Sequence, residues 1–274
     1  KIARIVTAFL DPDERVDGKG HAMMAAAGIE VCEFDWGDPV RRVMAGYLAS
    51  RSHKKPYVSL KLAMTPDGII GTSEKGNLRI SGTVSNRQTH LTRARHDAIL
   101  VGTGTAIADD PSLNCRLPGL EERSPLRVVL DFNAKIQAHH KLVATASKIP
   151  TLIAGNAASS PEWLAMLRGH GVQFLSCESH DGQVALPELL DDLHSRGIQS
   201  VMVEGGARLA TSFLDEGLVD EIILHVGGNP ELPGNSNHVL YAPFNLETLP
   251  DGFDICQTLK FGEDQSCRLL KREV

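Results

Sequence analysis

Short apolar runs alternate along the chain with longer, more polar stretches. The apolar runs predict β-strands at 4–10, 29–32, 58–63, 96–101, 127–131, 150–154, 200–203, 219–226 and 258–271. The stretches between them predict helices at 21–28, 86–95, 161–170, 186–196 and 207–216. Pro161 suits the first turn of its helix, and Gly197 and Gly217 stop the last two. Strands that alternate with helices are typical of a mostly parallel sheet with helices on both faces, so the sequence predicts an α/β fold.

The elements before residue 50 form a separate, short group. The strand 4–10, the helix 21–28 and the strand 29–32 bury too little surface to fold alone, so this part looks like the tail of a larger domain. The charged segment 50–56, which ends in a proline, predicts a linker. We therefore expect two units, residues 1–52 and residues 53–274.

Composition and charge exclude several classes of protein. The 42% hydrophobic content of the 274 residues is enough for a sizeable core. The net charge of −6, with no basic block longer than Lys54–Lys55, argues against a nucleic-acid partner, and no apolar run approaches the roughly 18–20 residues of a membrane span. Five scattered cysteines without C-x-x-C spacing favour reduced thiols in a cytoplasm, and no histidine pattern predicts a metal site.

A lysine interrupts the first long strand of the second unit. Lys61 shares a strand face with Ser59 and Ala63, while its neighbours in the sequence are apolar. A lysine inside a core strand costs free energy unless it is paired or used in chemistry. A lysine that extends from the rim of the sheet into solvent explains the pattern equally well.

A glutamate and two glycines follow the strand 200–203. Glu204 ends the strand, and Gly205 and Gly206 then open the helix 207–216. Backbone N–H groups at such a helix start suit a phosphate, because glycine lets the ligand approach closely. Pattern alone favours the alternative, a tight strand-to-helix turn with a solvated glutamate.

The strand 96–101 ends in small hydroxyl residues and carboxylates. Gly102-Thr-Gly104-Thr follows it directly, and Asp109-Asp110-Pro111 comes soon after. A simple turn needs only one Gly or Asn, so the additional hydroxyl and carboxylate residues predict a site. That site lies at the carboxyl end of the strand, where ligands of parallel sheets bind. There is no G-x-G-x-x-G with an acidic residue about twenty positions later, so a standard Rossmann site is not supported.

Three segments together resemble a known family. "PYVSLKLAMTPDGIIGT" (56–72), "LTRARHDAILVGTGTAIADDPSLNCR" (91–116) and "VMVEGGARLATSFLDEGLVDEIIL" (201–224) resemble the reductase domain of the bifunctional riboflavin biosynthesis deaminase-reductase. The resemblance runs from about residue 56 to near the end. "LDPDERVDGKGHAMMAAAGIEV" (10–31) resembles the end of that family's deaminase domain, whose zinc motifs would precede residue 1. The resemblance thus implies a remnant of an α/β deaminase domain at the N-terminus, with zinc only in a deaminase half absent from this chain.

The resemblance implies a dihydrofolate-reductase-like fold and a cytoplasmic, homodimeric, NADPH-dependent reductase. Its substrate is a ribosylaminouracil 5′-phosphate, whose ribose is reduced to ribityl. The implied catalytic residues are Lys61, Glu204 and Asp109. Lys61 assists opening of the sugar ring or polarises the imine nitrogen, Glu204 holds the ribose hydroxyls, and Asp109 lies where the cofactor meets the substrate.

Matching position by position extends these sites. The implied cofactor contacts are Ala63, Arg79, Thr105, Asp109, Phe132, Gly206, Ala207, Arg208, Leu209, Ala210, Thr211 and Ser212. The implied substrate contacts are Asn77, Arg93, Leu113, Arg116 and Glu204. We expect Arg93 and Arg116 to bind the phosphate, because a guanidinium matches its oxygens in a bidentate way; the alternative is that both are solvated surface residues.

The chain departs from the family at three places. Arg79 stands where the family usually has Trp, Phe132 where it has Ser, and residues 227–236 replace a Pro-Lys segment. Two other functions stay open. One is a dihydrofolate-type or other pyridine-nucleotide reductase of the same fold with a different substrate. The other is a non-catalytic relative that binds nucleotide and serves as a dimer scaffold, which the departures at Arg79 and Phe132 support.

Overall fold

A computed structural model describes residues 1–34, 37–72, 79–156, 158–180, 182–227 and 239–272. The strands are β1 (Arg4–Thr7), β2 (Glu30–Glu33), β3 (Tyr57–Met64), β4 (Ile69–Thr72), β5 (Ala98–Gly102), β6 (Leu126–Leu130), β7 (Thr151–Gly155), β8 (Gln173–Ser176), β9 (Ser179–His180), β10 (Gln183–Val184), β11 (Ser200–Glu204), β12 (Glu221–Val226), β13 (Val239–Tyr241), β14 (Phe253–Phe261) and β15 (Asp264–Lys271). The α-helices are α1 (Lys19–Ala26), α2 (Asp38–Val43), α3 (Ala45–Ser52), α4 (Thr83–Arg93), α5 (Thr103–Asp109), α6 (Lys141–Ala144), α7 (Pro161–Gly169), α8 (Leu186–Ser195) and α9 (Ala207–Asp215). A short 3-10 helix covers Glu121–Arg123.

A nine-stranded sheet organises the molecule, in the order β14-β15-β12-β3-β11-β5-β6-β7-β8. From β12 to β8 every neighbouring pair is parallel, whereas β15 lies antiparallel to both β12 and β14. The predicted mostly parallel sheet is therefore confirmed. The predicted last strand, 258–271, is instead the greater part of a hairpin made by β14 and β15.

Alternate residues of the strands pack on opposite faces, as the period of two in a strand requires. On one face the side chains meet α8 and α9, as Leu60 and Leu100 do with Leu189 and Phe213. On the other face, Val101 and its neighbours meet apolar residues of α5, α6 and α7. Helices thus cover both faces, which confirms that prediction, and burial on both sides explains why the central strands are continuously apolar.

The part of the second face that lies under α4 is polar. Register pairs Ser59 of β3 with Glu221 of β12, and Lys61 of β3 with Glu204 of β11. All four side chains point toward α4, whose buried residues are Ser85, Thr89 and Arg93. Buried polar groups are stable when they are paired, so this half of the sheet requires specific partners that the apolar half does not.

The β14–β15 hairpin fixes the start of α4. Asp264 is 6% exposed, and its Oδ2 accepts hydrogen bonds from the backbone nitrogen of Gly82 at 2.7 Å and the hydroxyl of Ser85 at 2.6 Å. A carboxylate at this position satisfies N-terminal groups of the helix and complements its dipole. Nearby, Gly227 lies so close to the backbone of Ile80 that a Cβ there would clash with the Ile80 carbonyl oxygen.

The two N-terminal strands form a sheet of their own. β1 and β2 make a parallel two-stranded sheet, in which Arg4 and Glu30 form an exposed ion pair. The predicted linker at 50–56 is wrong at its beginning, because α3 extends to Ser52. Ser50 is buried, and its hydroxyl lies 3.0 Å from Nε2 of His194 on α8. That the first 52 residues are a deaminase remnant stays a prediction.

Candidate active site

Lys61 and Glu204 meet at the carboxyl edge of the sheet. The two residues are register partners on β3 and β11, and Nζ of Lys61 lies 3.9 Å from Oε1 of Glu204. The side chains are 10% and 21% exposed, respectively. Lys61 therefore does not extend from the rim into solvent, and Glu204 is not a solvated turn residue.

Arg93, at the end of α4, holds Glu204 with its guanidinium. Nε donates to Oε2 at 3.1 Å, and Nη2 lies 2.9 Å from both carboxylate oxygens. Nη1 donates to the carbonyl oxygen of Asn114 at 3.2 Å. The predicted phosphate contact at Arg93 thus falls on a side chain that is 10% exposed and whose fork is engaged by Glu204.

Charge and burial set the protonation of this pair. Burial lowers the pKa of Lys61 most strongly; the Glu204 carboxylate opposes this shift, and Arg93 adds to it. Burial alone would raise the pKa of Glu204, but the charges of Arg93 and Lys61 outweigh burial and bring it below its ordinary value. Glu204 is therefore a carboxylate, and Lys61 releases a proton more readily than an exposed lysine does.

The loop after α5 lies beside Arg93. Nδ1 of His90 is 3.0 Å from the carbonyl oxygen of Asn114 and 3.3 Å from the backbone nitrogen of Arg116. Arg116 itself is exposed, and its Nη1 donates to the side-chain oxygen of Asn114 at 3.2 Å. Leu113 adopts a φ of 50° and is 3% exposed within the second core cluster. Of the two predicted phosphate contacts, Arg116 is the one whose side chain faces solvent.

The starts of α5 and α9 lie side by side at the same edge. The backbone nitrogen of Gly206 donates to the hydroxyl of Thr105 at 3.2 Å. A Cβ on Gly102 or Gly104 would meet no atom within 4 Å. Both glycines therefore lie beside open space, Gly102 at the end of β5 and Gly104 in the first turn of α5. At the other end of α5, burial raises the pKa of Asp109, and the negative charge of Glu204 adds to the shift.

The remaining predicted cofactor residues occupy different environments. Ala210 is 0% exposed in the main core, and Leu209 and Phe132 pack against that core. Ala63, one residue before the end of β3, pairs with His225 of β12. Half-buried Ala207, Thr211 and Ser212 lie on α9, whereas Arg208 and Arg79 are exposed. Asn77 falls outside the described residues.

Sequence reasoning missed the buried basic residues Arg127 and His225. Arg127 is 0% exposed and donates to carbonyl and hydroxyl oxygens, including the carbonyl of Ser112 at 3.2 Å, and burial lowers its pKa to about 10. His225 is 2% exposed on β12. A single charged or polar residue inside an apolar run, as in "LRVVL" and "EIILHV", is the signal that could have found them.

The described residues contain neither a metal-binding cluster nor a membrane-spanning helix. No group of three or more His, Cys, Asp or Glu side chains there could hold a metal ion. No helix in the described segments is long and apolar enough to cross a membrane.

Comparison with known proteins assigns this site to a family. The model of the RibD C-terminal domain matches residues 56–241, which include Lys61, Arg93 and Glu204. The chain belongs to the RibD C-terminal domain family. The family region therefore holds the whole ion-paired cluster.

Curated relatives and solved structures agree with this assignment. The riboflavin biosynthesis protein RibD of Haemophilus influenzae is 32% identical over 261 residues, covering 91% of this chain and 67% of the relative. RibD of Actinobacillus pleuropneumoniae is 32% identical over 236 residues, covering 85% of this chain. The chain spans 61% of the length of that relative.

The fold matches two solved structures of different similarity. Acinetobacter baumannii RibD, form 1, superposes with a TM-score of 0.80 at 29% identity, covering 99% of this chain and 73% of that one. The riboflavin biosynthesis reductase Rib7 of Saccharomyces cerevisiae superposes with a TM-score of 0.61 at 22% identity, covering 86% of this chain and all of that one, a likeness of fold alone. The dihydrofolate-reductase-like fold predicted from the sequence is thereby confirmed.

Proposed function

We propose that this chain is a 5-amino-6-(5-phosphoribosylamino)uracil reductase of riboflavin biosynthesis, an oxidoreductase that uses NADPH to reduce the ribose of its substrate to ribityl. The observation that carries the proposal is the ion-paired cluster of Lys61, Glu204 and Arg93 at the carboxyl edge of the sheet. It supplies a proton donor and a fixed carboxylate where ligands of such sheets bind. Its position inside the RibD C-terminal domain match supports the substrate.

The edge formed by the starts of α5 and α9 fits a nicotinamide dinucleotide. Gly102 and Gly104 lie beside open space, and Thr105 connects this segment to Gly206 at the next helix start. Helix starts with glycine allow the close approach of a diphosphate. Bound NADPH supplies the hydride that adds to C1′ of the opened sugar.

Lys61 and Glu204 handle protons and orientation. As an ammonium, Lys61 assists the opening of the sugar ring to an imine and then gives its proton to the nitrogen as C1′ is reduced. Arg93 keeps Glu204 ionised and fixed, so its remaining lone pairs can accept hydrogen bonds from ribose hydroxyls. The negative charge of Glu204 contributes to the raised pKa of Asp109, so the two side chains are near each other. This proximity supports a position of Asp109 between the cofactor and the substrate. Each turnover takes up one proton from solvent.

Arg116 is the residue that we propose for the substrate phosphate. It is exposed, and Asn114 links it to Arg93 and so to the ion-paired cluster. A guanidinium with free donors matches phosphate oxygens. Arg93, by contrast, positions Glu204.

We further propose a homodimer in a reducing, cytoplasmic setting. β14 is an edge strand of the large sheet, and its Ile255 and Leu259 are each 43% exposed. Long exposed edges with apolar residues pair readily with another chain. All five cysteines are free thiols, as expected in a reducing compartment. Analytical ultracentrifugation tests the dimer, and a monomer at micromolar concentration would contradict it.

The decisive experiment follows NADPH oxidation with the ribosylaminouracil 5′-phosphate and identifies the ribityl product by mass spectrometry. Turnover of this substrate supports the proposal. Turnover of dihydrofolate or another substrate in its place would assign a different reductase of the same fold. Binding of NADPH without oxidation of it would assign the non-catalytic alternative.

A further inference from the structure

A histidine that the proposed mechanism does not use shares a sheet face with Lys61. In the parallel register of β3 and β12, Lys61 pairs with Ile223 and Ala63 pairs with His225. Residues at paired positions, and those two further along, point to the same face of a sheet. Lys61 and His225 are therefore diagonal neighbours on the face that α4 covers.

The ring of His225 has an unused polar atom. The residue is 2% exposed, and its Nδ1 has no hydrogen-bond partner among the residues that the structure describes. A buried polar atom left in this state costs about 1–3 kcal/mol. Native proteins rarely keep such an atom unless water or function satisfies it.

A cavity adjoins His225. It has a volume of about 60 Å³ and lies between α4 and the β14–β15 hairpin. Its lining residues are Gln88, Thr92, Ile223, His225, Gln257, Leu259, Phe261, Ser266 and Arg268. His225 at one side of the cavity is buried and Gln257 at another is exposed, so the cavity extends from the interior toward the surface. A space of this size with several polar side chains in its wall has room for more than one water molecule, since one water needs about 10–15 Å³.

We propose that His225 and this cavity return a proton from solvent to Lys61 after each turnover, an inference that rests on the reductase function proposed above. During reduction, C1′ receives the hydride and the substrate nitrogen receives the proton of Lys61, which leaves Lys61 as a neutral amine. A proton from cavity water then binds one ring nitrogen of His225, and the proton on the other nitrogen passes to Lys61. The first nitrogen then returns its proton to water and the second nitrogen takes one up from water, so the ring regains its first tautomer and the cycle consumes one proton, the one bound by Lys61.

The charges around His225 suit a relay. Its pKa is lowered to about 3, most strongly by burial and also by the charge of Lys61, whereas Asp264 and Glu204 act in the opposite direction. The ring therefore rests neutral, with a lone pair available. Once Lys61 has lost its proton, its repulsion disappears, and His225 accepts a proton more readily at the step that requires one. Arg268, the charged residue of the cavity wall, is ion-paired with Glu221 at 3.0 Å.

The test compares the first turnover with later ones in His225→Phe. The enzyme starts with Lys61 protonated, so with stoichiometric NADPH and substrate we expect a first-turnover rate within about twofold of the unaltered protein. Steady-state kcat should fall by about tenfold or more, within the range for lost proton transfer, while KM stays unchanged. In His225→Ala, added imidazole should restore the steady-state rate. Ile223→Val, which lines the same cavity without a polar atom, is the matched control and should behave like the unaltered protein.

Three results would overturn the relay. They are an unchanged steady-state kcat in His225→Phe, an equal loss in the first and later turnovers, and a His225→Ala variant that imidazole does not restore. Thermal unfolding of each variant shows whether it is folded. If the unaltered protein oxidises no NADPH with the substrate, the proposed function fails instead, so the two failures are distinguishable.

Discussion

Arg93 and Glu204 lie 111 residues apart in the chain, yet two nitrogens of the guanidinium contact the two carboxylate oxygens at 2.9–3.1 Å. The pair joins the end of α4 to the end of β11, next to Lys61. Glu204 thus has two cationic neighbours, of which Arg93 provides the hydrogen bonds and Lys61 lies at a longer distance. Arg93 therefore fixes the carboxylate in position, and the ammonium of Lys61 remains available to donate a proton.

The two ends of the Lys61–Glu204 pair should respond differently to substitution. Lys61→Met removes a buried charge and leaves Glu204 bonded to Arg93, so we expect unchanged or higher stability. Glu204→Gln leaves two cations together in a largely buried site and should cost about 3 kcal/mol of unfolding free energy. Both variants should lose about 10²–10⁴-fold in kcat. Urea unfolding and NADPH oxidation measure the two effects, and near-normal turnover in either variant removes that residue from the mechanism.

Arg93 and Arg116 should affect different kinetic constants. Arg116→Ala is expected to raise KM for the phosphorylated substrate at least tenfold, about 1.4 kcal/mol, because it removes a phosphate contact. Arg93→Lys, which loses the bidentate geometry, should lower kcat by releasing Glu204. A substrate analogue without the phosphate is the control, since Arg116→Ala should leave its turnover unchanged. An unchanged KM in Arg116→Ala would disprove the phosphate contact.

Gly104→Ala tests where the cofactor binds. A Cβ there meets no atom of the protein within 4 Å, and alanine favours a helix over glycine by about 0.5–1 kcal/mol. We therefore expect equal or higher thermal stability together with at least tenfold weaker NADPH binding, measured by fluorescence titration. Gly169→Ala, also in a helix and also without a nearby atom, is the matched control away from this edge. Equal NADPH affinity in both variants would exclude the cofactor from the start of α5.

Burial of His225 should make stability depend on pH. Its pKa is about 3 in the folded protein and near 6.5 when unfolded, so between these values the unfolded chain binds more protons. Unfolding free energy should therefore fall as the pH is lowered from about 6.5, by up to about 1.4 kcal/mol per pH unit from this group. Above pH 6.5 the contribution is constant. Urea unfolding between pH 7 and pH 5 should show a shallower dependence for His225→Phe, and identical slopes would contradict the assignment.

The strands of the large sheet were predictable, whereas the partners of its polar residues were not. The apolar runs that form β3, β5, β6, β7, β11 and β12 are buried on both faces, so hydrophobicity alone marks them. α5 was missed because Gly102-Thr-Gly104 resembles a turn. The helix tolerates the two glycines, because Gly102 lies just before its first residue and Gly104 lies in its first turn. α2 and α3 were missed because α2 spans only six residues, next to a glycine and with a proline in its first turn, and α3 ends inside the charged segment 50–56 that suggests a linker.

The candidate site shows the same limit. Lys61 and Glu204 stand out as charged residues in apolar strands, so sequence alone selects them. The bond from Arg93 to Glu204 depends on where α4 crosses the sheet, which no local pattern encodes. Asn114, which contacts both Arg93 and Arg116, carries no signal of its own because its backbone carbonyl supplies the first contact.

The carboxylate that caps α4 has a consequence for protein synthesis. Asp264 is translated 182 residues after Gly82, the residue whose backbone it binds. A nascent chain still on the ribosome can form the apolar part of the sheet from β5 to β8 and the helices that cover it. The first turn of α4 then still lacks the Asp264 carboxylate that accepts its hydrogen bonds. Arg93, at the other end of that helix, would then lack a fixed position opposite Glu204. The emerging polypeptide should therefore bury its core well before it becomes competent to bind substrate.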